Sequence, residues 1–159
     1  MEKVNRVELK HLSPENINAL NSFTLSEEQK QFSALPNKFE EVTPGQYRIV
    51  ILNENEPVGF FLLHSTERVQ KYTQNPNAIL LTALSINHAE QGKGYAKQGL
   101  LQLEKFVKSE FPKCDEIVLV VDGENIPARS LYIKIGFQDT NERIIGRIGE
   151  EVIMKLPII

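Results

Sequence analysis

A single cysteine, Cys114, among 159 residues excludes an intrachain disulfide and makes a reducing, cytoplasmic setting the default expectation. Long apolar runs are missing as well. "VGFFLL" and "AILLTAL" are strand-sized and far short of a membrane span. The opening "MEKVNRVELK" carries no apolar core of the length a signal peptide needs. No basic block or basic–aromatic interleaving appears, and 18 Lys and Arg against 21 Asp and Glu leave a formal charge of −3, which argues against nucleic acid as a partner. The three histidines have no Cys or acidic neighbours at ligand spacing, so no metal site is expected. Cys114 precedes a strand without local activating groups, so a catalytic thiol is not expected either.

What is present reads as one α/β domain over residues 1–159, with 41% hydrophobic residues to build a core. "VNRVELKHL" has the alternation of a first strand. Ser13-Pro14 then favours a helix over 14–22, and Ser26 with "SEEQ" caps a second over 26–34. "PGQYRIVILNENEPVGFFLLHS" is a hairpin turning at "NENEP". "AILLTALSIN" (78–87) is apolar enough for a central strand covered on both faces. After a glycine-bearing turn, Ala96, Leu100, Leu103 and Val107 recur at helical spacing, with Phe106 widening the stripe, which predicts one long helix ending at "FPK". "EIVLVV" is a second buried strand. "IPARSLYIKIGF" is a helix starting at Pro127, with Ala128, Leu131, Tyr132 and Ile135 as its apolar stripe and Gly136 as its stop. The tail folds back near Gly149. The element order implies a mixed sheet with helices on its faces.

The segment "EQGKGYAKQGLLQLE" (90–104) places glycines where a helix begins. Glycine there costs backbone entropy. A tight turn, close helix packing, or an anion held by exposed N–H groups would each account for it. The stretch is not a Walker A loop, because Lys93 is followed by Gly94 without the Ser or Thr that holds magnesium. Glycines at 92, 94 and 99 do not keep the dinucleotide-binding spacing either.

"QGKGYA" (91–96) fits the Gln/Arg-x-x-Gly-x-Gly/Ala signature of the GNAT N-acetyltransferase superfamily. "NIPARSLYIKIGF" (125–137) resembles that family's N-x-x-A-x-x-L-Y-x-x-x-G-F segment, through Asn125, Ala128, Leu131, Tyr132, Gly136 and Phe137. Both follow apolar strands in the family's order. The resemblance covers about residues 47–137 well, and the first ~45 in element order only.

The resemblance implies an α/β (α+β) fold with a mixed, mostly antiparallel central sheet of six or seven strands, a splayed strand pair and about four flanking helices, and acetyl-coenzyme A (acetyl-CoA) as co-substrate. In the family's pattern the main chain of Gln91, Gly92, Lys93, Gly94, Tyr95 and Ala96 holds the pyrophosphate. Leu84, Ser85 and Ile86 pair with the pantetheine arm as with an added strand, while Asn125 also contacts that arm. Tyr132 protonates the leaving thiolate. A phenol with a pKa of about 10 is neutral at pH 7 and carries the proton it must give. With Pro127 opening the helix, Asn125 falls one residue outside the cap, so capping accounts for it poorly.

Many relatives place a carboxylate on the strand before the glycine turn, whereas "AILLTALSIN" offers only Thr82 and Ser85. The expectation is a water relay ending at His64, Glu27 or Glu28, with His11 and His88 on the surface. The activity implied is transfer of acetyl to a primary amine of a small molecule, by direct attack in a ternary complex. A homodimer and the identity of the amine stay open. A non-catalytic acyl-CoA sensor on the same fold is the alternative reading, and a structural domain whose turn binds nothing is the third.

Overall fold

The computed structural model describes residues 7–21, 23–24, 44–146 and 149–158. The predicted helix over 26–34 and the candidates Glu27 and Glu28 lie outside the described residues. Seven strands form one sheet: β1 (Val7–His11), β2 (Gln46–Asn53), β3 (Glu56–His64), β4 (Ala78–Ile86), β5 (Glu116–Asp122), β6 (Gln138–Ile145) and β7 (Glu150–Pro157), in the order β1-β2-β3-β4-β5-β7-β6. Among the described residues β4 and β5 are the parallel pair, and the other neighbours are antiparallel. β2 and β3 are rich in Val, Ile, Leu and Phe, which suit a pleated buried surface. They close through the two-residue turn Glu54-Asn55, whose φ values of 52° and 71° match the strand twist.

Four α-helical segments are described: α1 (Ile17–Asn21), preceded by a 3-10 turn at Pro14–Asn16, α2 (Tyr95–Leu100), α3 (Leu103–Glu110) and α4 (Ile126–Ile135). Strand alternation sends Ile49, Ile51, Phe61, Leu63, Ile79, Leu81, Ile117 and Leu119 to one face. There they meet Leu100, Leu103 and Val107 of α2 and α3 and Tyr132 of α4. On the opposite face Phe23 packs with Val50, Leu52, Phe60 and Leu62, and Val69 packs with Leu80, Val118 and Ile153.

The single long helix expected from residue 95 onward is interrupted at Leu101-Gln102. The Gln102 amide bonds back to the Gly99 carbonyl at 3.0 Å, a tightened i−3 link, while its side chain donates to the Val7 carbonyl on β1. The apolar stripe stays continuous across the break, which is why spacing alone did not reveal it. Gly99 lies on β2, where an added Cβ would sit 3.1 Å from Ile51 Cγ2, so this glycine serves close packing.

Candidate active site

Pairing between β4 and β5 begins at Ala78–Glu116 and ends at Leu81–Leu119. Beyond that point the two strands separate, and β4 changes register against β3: Leu62 faces Thr82, but Phe60 faces Ser85. The extra residue is absorbed at Ala83, whose φ of 59° is left-handed. A bulge of this kind re-aims a strand, and here it opens a cleft of about 610 Å³ between β4, β5, α2 and α4.

The cleft brings together Leu84, Ser85, Ile86, Gln91, Gly92, Gly94, Tyr95, Ala96, Asn125 and Tyr132. Lys93 does not line it. Its ammonium is 3.0 Å from Glu90 Oε2, an exposed ion pair that raises its pKa. Lys97 lines the cleft instead. Gly92 and Gly94 have φ of 78° and 82°, and an added Cβ would meet nothing within 4 Å at the first and only Gln98 Nε2, at 3.5 Å, at the second. Packing therefore does not require these glycines. The turn conformation does, and it leaves the main chain bare at the entrance to α2. The Gln91 side chain steadies the turn by donating to the Ile86 carbonyl at 3.0 Å, and the Tyr95 hydroxyl accepts from Asn53 Nδ2 at 2.9 Å.

Asn125 is the N-cap of α4, which starts one residue earlier than the sequence suggested. Its Oδ1 accepts from Ala128 N at 3.3 Å. Capping thus accounts for this residue after all, since Ile126 already has helical geometry, and Asn125 still lines the cleft. Tyr132 is buried and stacks edge-on against Phe137, with ring centroids 5.7 Å apart. Burial raises its pKa, which keeps the hydroxyl protonated at neutral pH.

His64 does not reach the cleft. It is fully enclosed, with Nε2 2.6 Å from the hydroxyl of Thr82, which does line the cleft. Burial first, and the nearby Arg68 second, lower its pKa to about 4, so the imidazole is neutral and a poor proton acceptor. Cys114 lies outside the cleft, and burial pushes its thiol pKa up, away from the reactive thiolate. His11 is exposed and bonds Glu110 at 2.8 Å, and His88 is exposed too. Among the described residues no three His, Cys, Asp or Glu side chains group as a metal site, and no helix is long and apolar enough to cross a membrane.

Sequence reasoning overlooked Asp122 and Glu151, both in the cleft wall. They are directly paired across β5 and β7. The signal was a carboxylate at the end of each of two apolar runs, "VLVVD" and "EVIM". Nothing in sequence distance joins them.

A profile of the Acetyltransferase (GNAT) family matches residues 13–137. The chain belongs to the GNAT acetyltransferase family. It is an N-acetyltransferase with acetyl-CoA as co-substrate. An uncharacterized N-acetyltransferase, YbbJ, of Bacillus subtilis (strain 168) is 44% identical over 152 residues, covering 93% of this chain and 95% of its own. Among solved structures, the aminoglycoside acetyltransferase AAC(6′)-Ib with coenzyme A and kanamycin superposes with a TM-score of 0.75 at 16% identity, covering 95% and 94% of the two chains. A spermidine N-acetyltransferase SpeG chimera from Vibrio cholerae reaches a TM-score of 0.69 at 18% identity, over 96% and 95%. These two likenesses are of GNAT fold.

Proposed function

We propose that this enzyme, acting in the cytoplasm as one domain, acetylates a primary amine of a small molecule by direct attack in a ternary complex. The observation that carries this reading is a cleft walled on one side by the open β4 edge and on the other by α4, with Tyr132 facing in. Supporting it, relatives of the same fold include an enzyme solved with coenzyme A and kanamycin and one named for spermidine.

The residues fit the co-substrate. The main chain of Gln91, Gly92, Lys93, Gly94, Tyr95 and Ala96 meets the pyrophosphate; the Gln91 amide bonds the His88 carbonyl and fixes the turn, and the N–H groups at the helix entrance that follow favour an anion. Lys97 adds positive charge at the same wall. Leu84, Ser85 and Ile86 flank the pantetheine arm from β4, and Asn125 approaches it from the start of α4. Once bound, acetyl-CoA supplies an activated thioester. Tyr132, neutral and ordered by Phe137, is the proton donor toward the thiolate that leaves. No side chain of the described cleft is a thiol, so the acetyl group passes to the amine without an acetyl-enzyme.

The test is a panel of polyamines, amino acids and amine antibiotics read by free-thiol release. Calorimetry with acetyl-CoA accompanies it. Thiol release dependent on an amine is the expected result. Tight acetyl-CoA binding with no release across the panel would refute the small-amine reading.

A further inference from the structure

On β5, Val118 and Val120 point to the face opposite the helices, and period-two alternation places Asp122 with them. On β7, Glu151 shares the face of Ile153 by the same rule. The antiparallel register sets Asp122 and Glu151 directly across from each other. Thr82 and Ser85 of β4 line the same cleft. The cleft therefore has an acidic wall on the side away from the glycine turn's helix, and among the described residues neither carboxylate forms an ion pair.

Among the described residues, which leave out Arg147, the groups around Glu151 are few. Asp122 lies opposite on β5, Ile144 lies beside it on β6, and its carboxyl rests against Gly146, where an added Cβ would come within 2.3 Å of Glu151 Cδ. Arg143 of β6 is held by Asp139 at 2.8 Å and lies 3.6 Å from Glu150. Arg129 of α4 donates to the Gly123 carbonyl at 3.0 Å. Asp122 Oδ1 accepts from the Glu124 amide at 2.9 Å. A second observation points to a ligand independently: Ser85, only 4% exposed, has a hydroxyl with no hydrogen-bond partner among the described residues, and it lines the cleft. A buried hydroxyl left unsatisfied asks for a polar atom from outside.

We propose that Asp122 and Glu151 form the acceptor site for an alkylammonium substrate, and that Glu151 takes the proton of the attacking amine. The inference rests on the small-amine reading above and names the class and the base it left open. The ammonium proton passes to the Glu151 carboxylate, giving a free amine and a neutral Glu151. The amine lone pair then forms the N–C bond to the acetyl carbon. The C–S bond breaks, and the departing thiolate takes the Tyr132 proton. The second nitrogen proton, left on the cationic adduct, passes through solvent to the Tyr132 phenolate and leaves a neutral amide, while Glu151 releases its proton to water. Burial first, and the charge of Asp122 second, hold the Glu151 carboxyl above the usual carboxylate range. It is thus a stronger proton acceptor than an exposed glutamate.

Two measurements decide the matter, on wild type, Glu151→Gln and Asp122→Asn, with the acetyl-CoA Kd of each variant as a control for folding. In the first, calorimetry with coenzyme A present compares 1,4-diaminobutane with the neutral 1,4-butanediol. The diamine is expected to bind wild type and to weaken at least about tenfold in both variants, the loss of a charged hydrogen-bonded partner. In the second, Glu151→Gln is expected to lower kcat by roughly 100-fold or more, the usual scale for a general base, and to abolish the acid limb of the kcat/KM profile. Asp122→Asn should move that limb to lower pH, because a like charge is removed. No diamine binding by wild type, or wild-type affinity in either variant, overturns the site. Wild-type turnover and an intact acid limb in Glu151→Gln overturn the base. If wild type releases no thiol with any amine, the transfer reading fails, while the diamine measurement still rules on the carboxylate pair.

Discussion

Acid should unfold this protein through one imidazole. His64, at the end of β3, is wholly enclosed and is neutral in the folded state, with its pKa lowered to about 4 from 6.5. The unfolded chain binds the proton at the higher value. Between 6.5 and about 4 the unfolded state therefore holds more protons than the native one, and stability falls as pH falls through that window. Each pH unit inside it costs about 1.4 kcal/mol. Moving from about pH 7.5 to about pH 4.5 crosses some two units of the window and removes about 2.5 kcal/mol. That is a large share of the ~5–15 kcal/mol typical of a domain. Glu151, whose carboxyl pKa burial raises, titrates over the same range. The clean quantity is therefore a double difference. Urea unfolding of wild type and of His64→Gln, which stays neutral and keeps a polar group toward Thr82, is measured at both pH values. Wild type should lose about 2.5 kcal/mol more than the variant between them. Equal losses, within about 0.5 kcal/mol, would mean that His64 is not held neutral by the fold and would refute the reasoning.

Tyr132→Phe keeps the ring on Phe137 and removes a hydroxyl for which no described partner exists, so thermal stability should change little. Turnover should fall about 100-fold while the acetyl-CoA Kd stays within about twofold, and unchanged turnover would remove Tyr132 as the proton donor. Gly94→Asp puts a side chain at φ 82° and a negative charge beside the bare turn. Calorimetry should show acetyl-CoA affinity reduced at least about tenfold, and an unaltered Kd would contradict the pyrophosphate assignment. Asn125→Ala deletes the cap on Ala128 N and should cost about 1 kcal/mol in denaturant unfolding. If it also weakens acetyl-CoA binding, Asn125 serves both the helix and the ligand; if stability does not change, the cap is not doing what its geometry suggests.

Much of this arrangement was legible in the sequence because local chemistry and global fold agree. The two-residue turn at Glu54-Asn55, Pro127 inside the start of α4 and Gly136 at its end all punctuate elements where the structure does. The apolar run at 78–86 marked a central strand, and the glycines at 92 and 94 marked a turn whose φ values only glycine adopts easily. What escaped depends on partners remote in sequence. The break at Leu101-Gln102 is tied to β1 through Val7. The hydrogen-bond partner of His64 is Thr82 on the neighbouring strand, eighteen positions away. Asp122 and Glu151 meet only because β7 inserts between β5 and β6. No period along one strand encodes that adjacency.

The additional residue at Ala83 has a consequence for anyone altering the cleft wall. Before it, even-numbered positions of β4, Ala78 and Leu80, look away from the helices. After it the parity inverts: Leu84 and Ile86 join the helical side, and Ser85 looks the other way. Thr82 and Ser85, three apart and of opposite parity, therefore share an outlook that an unbroken strand would deny them.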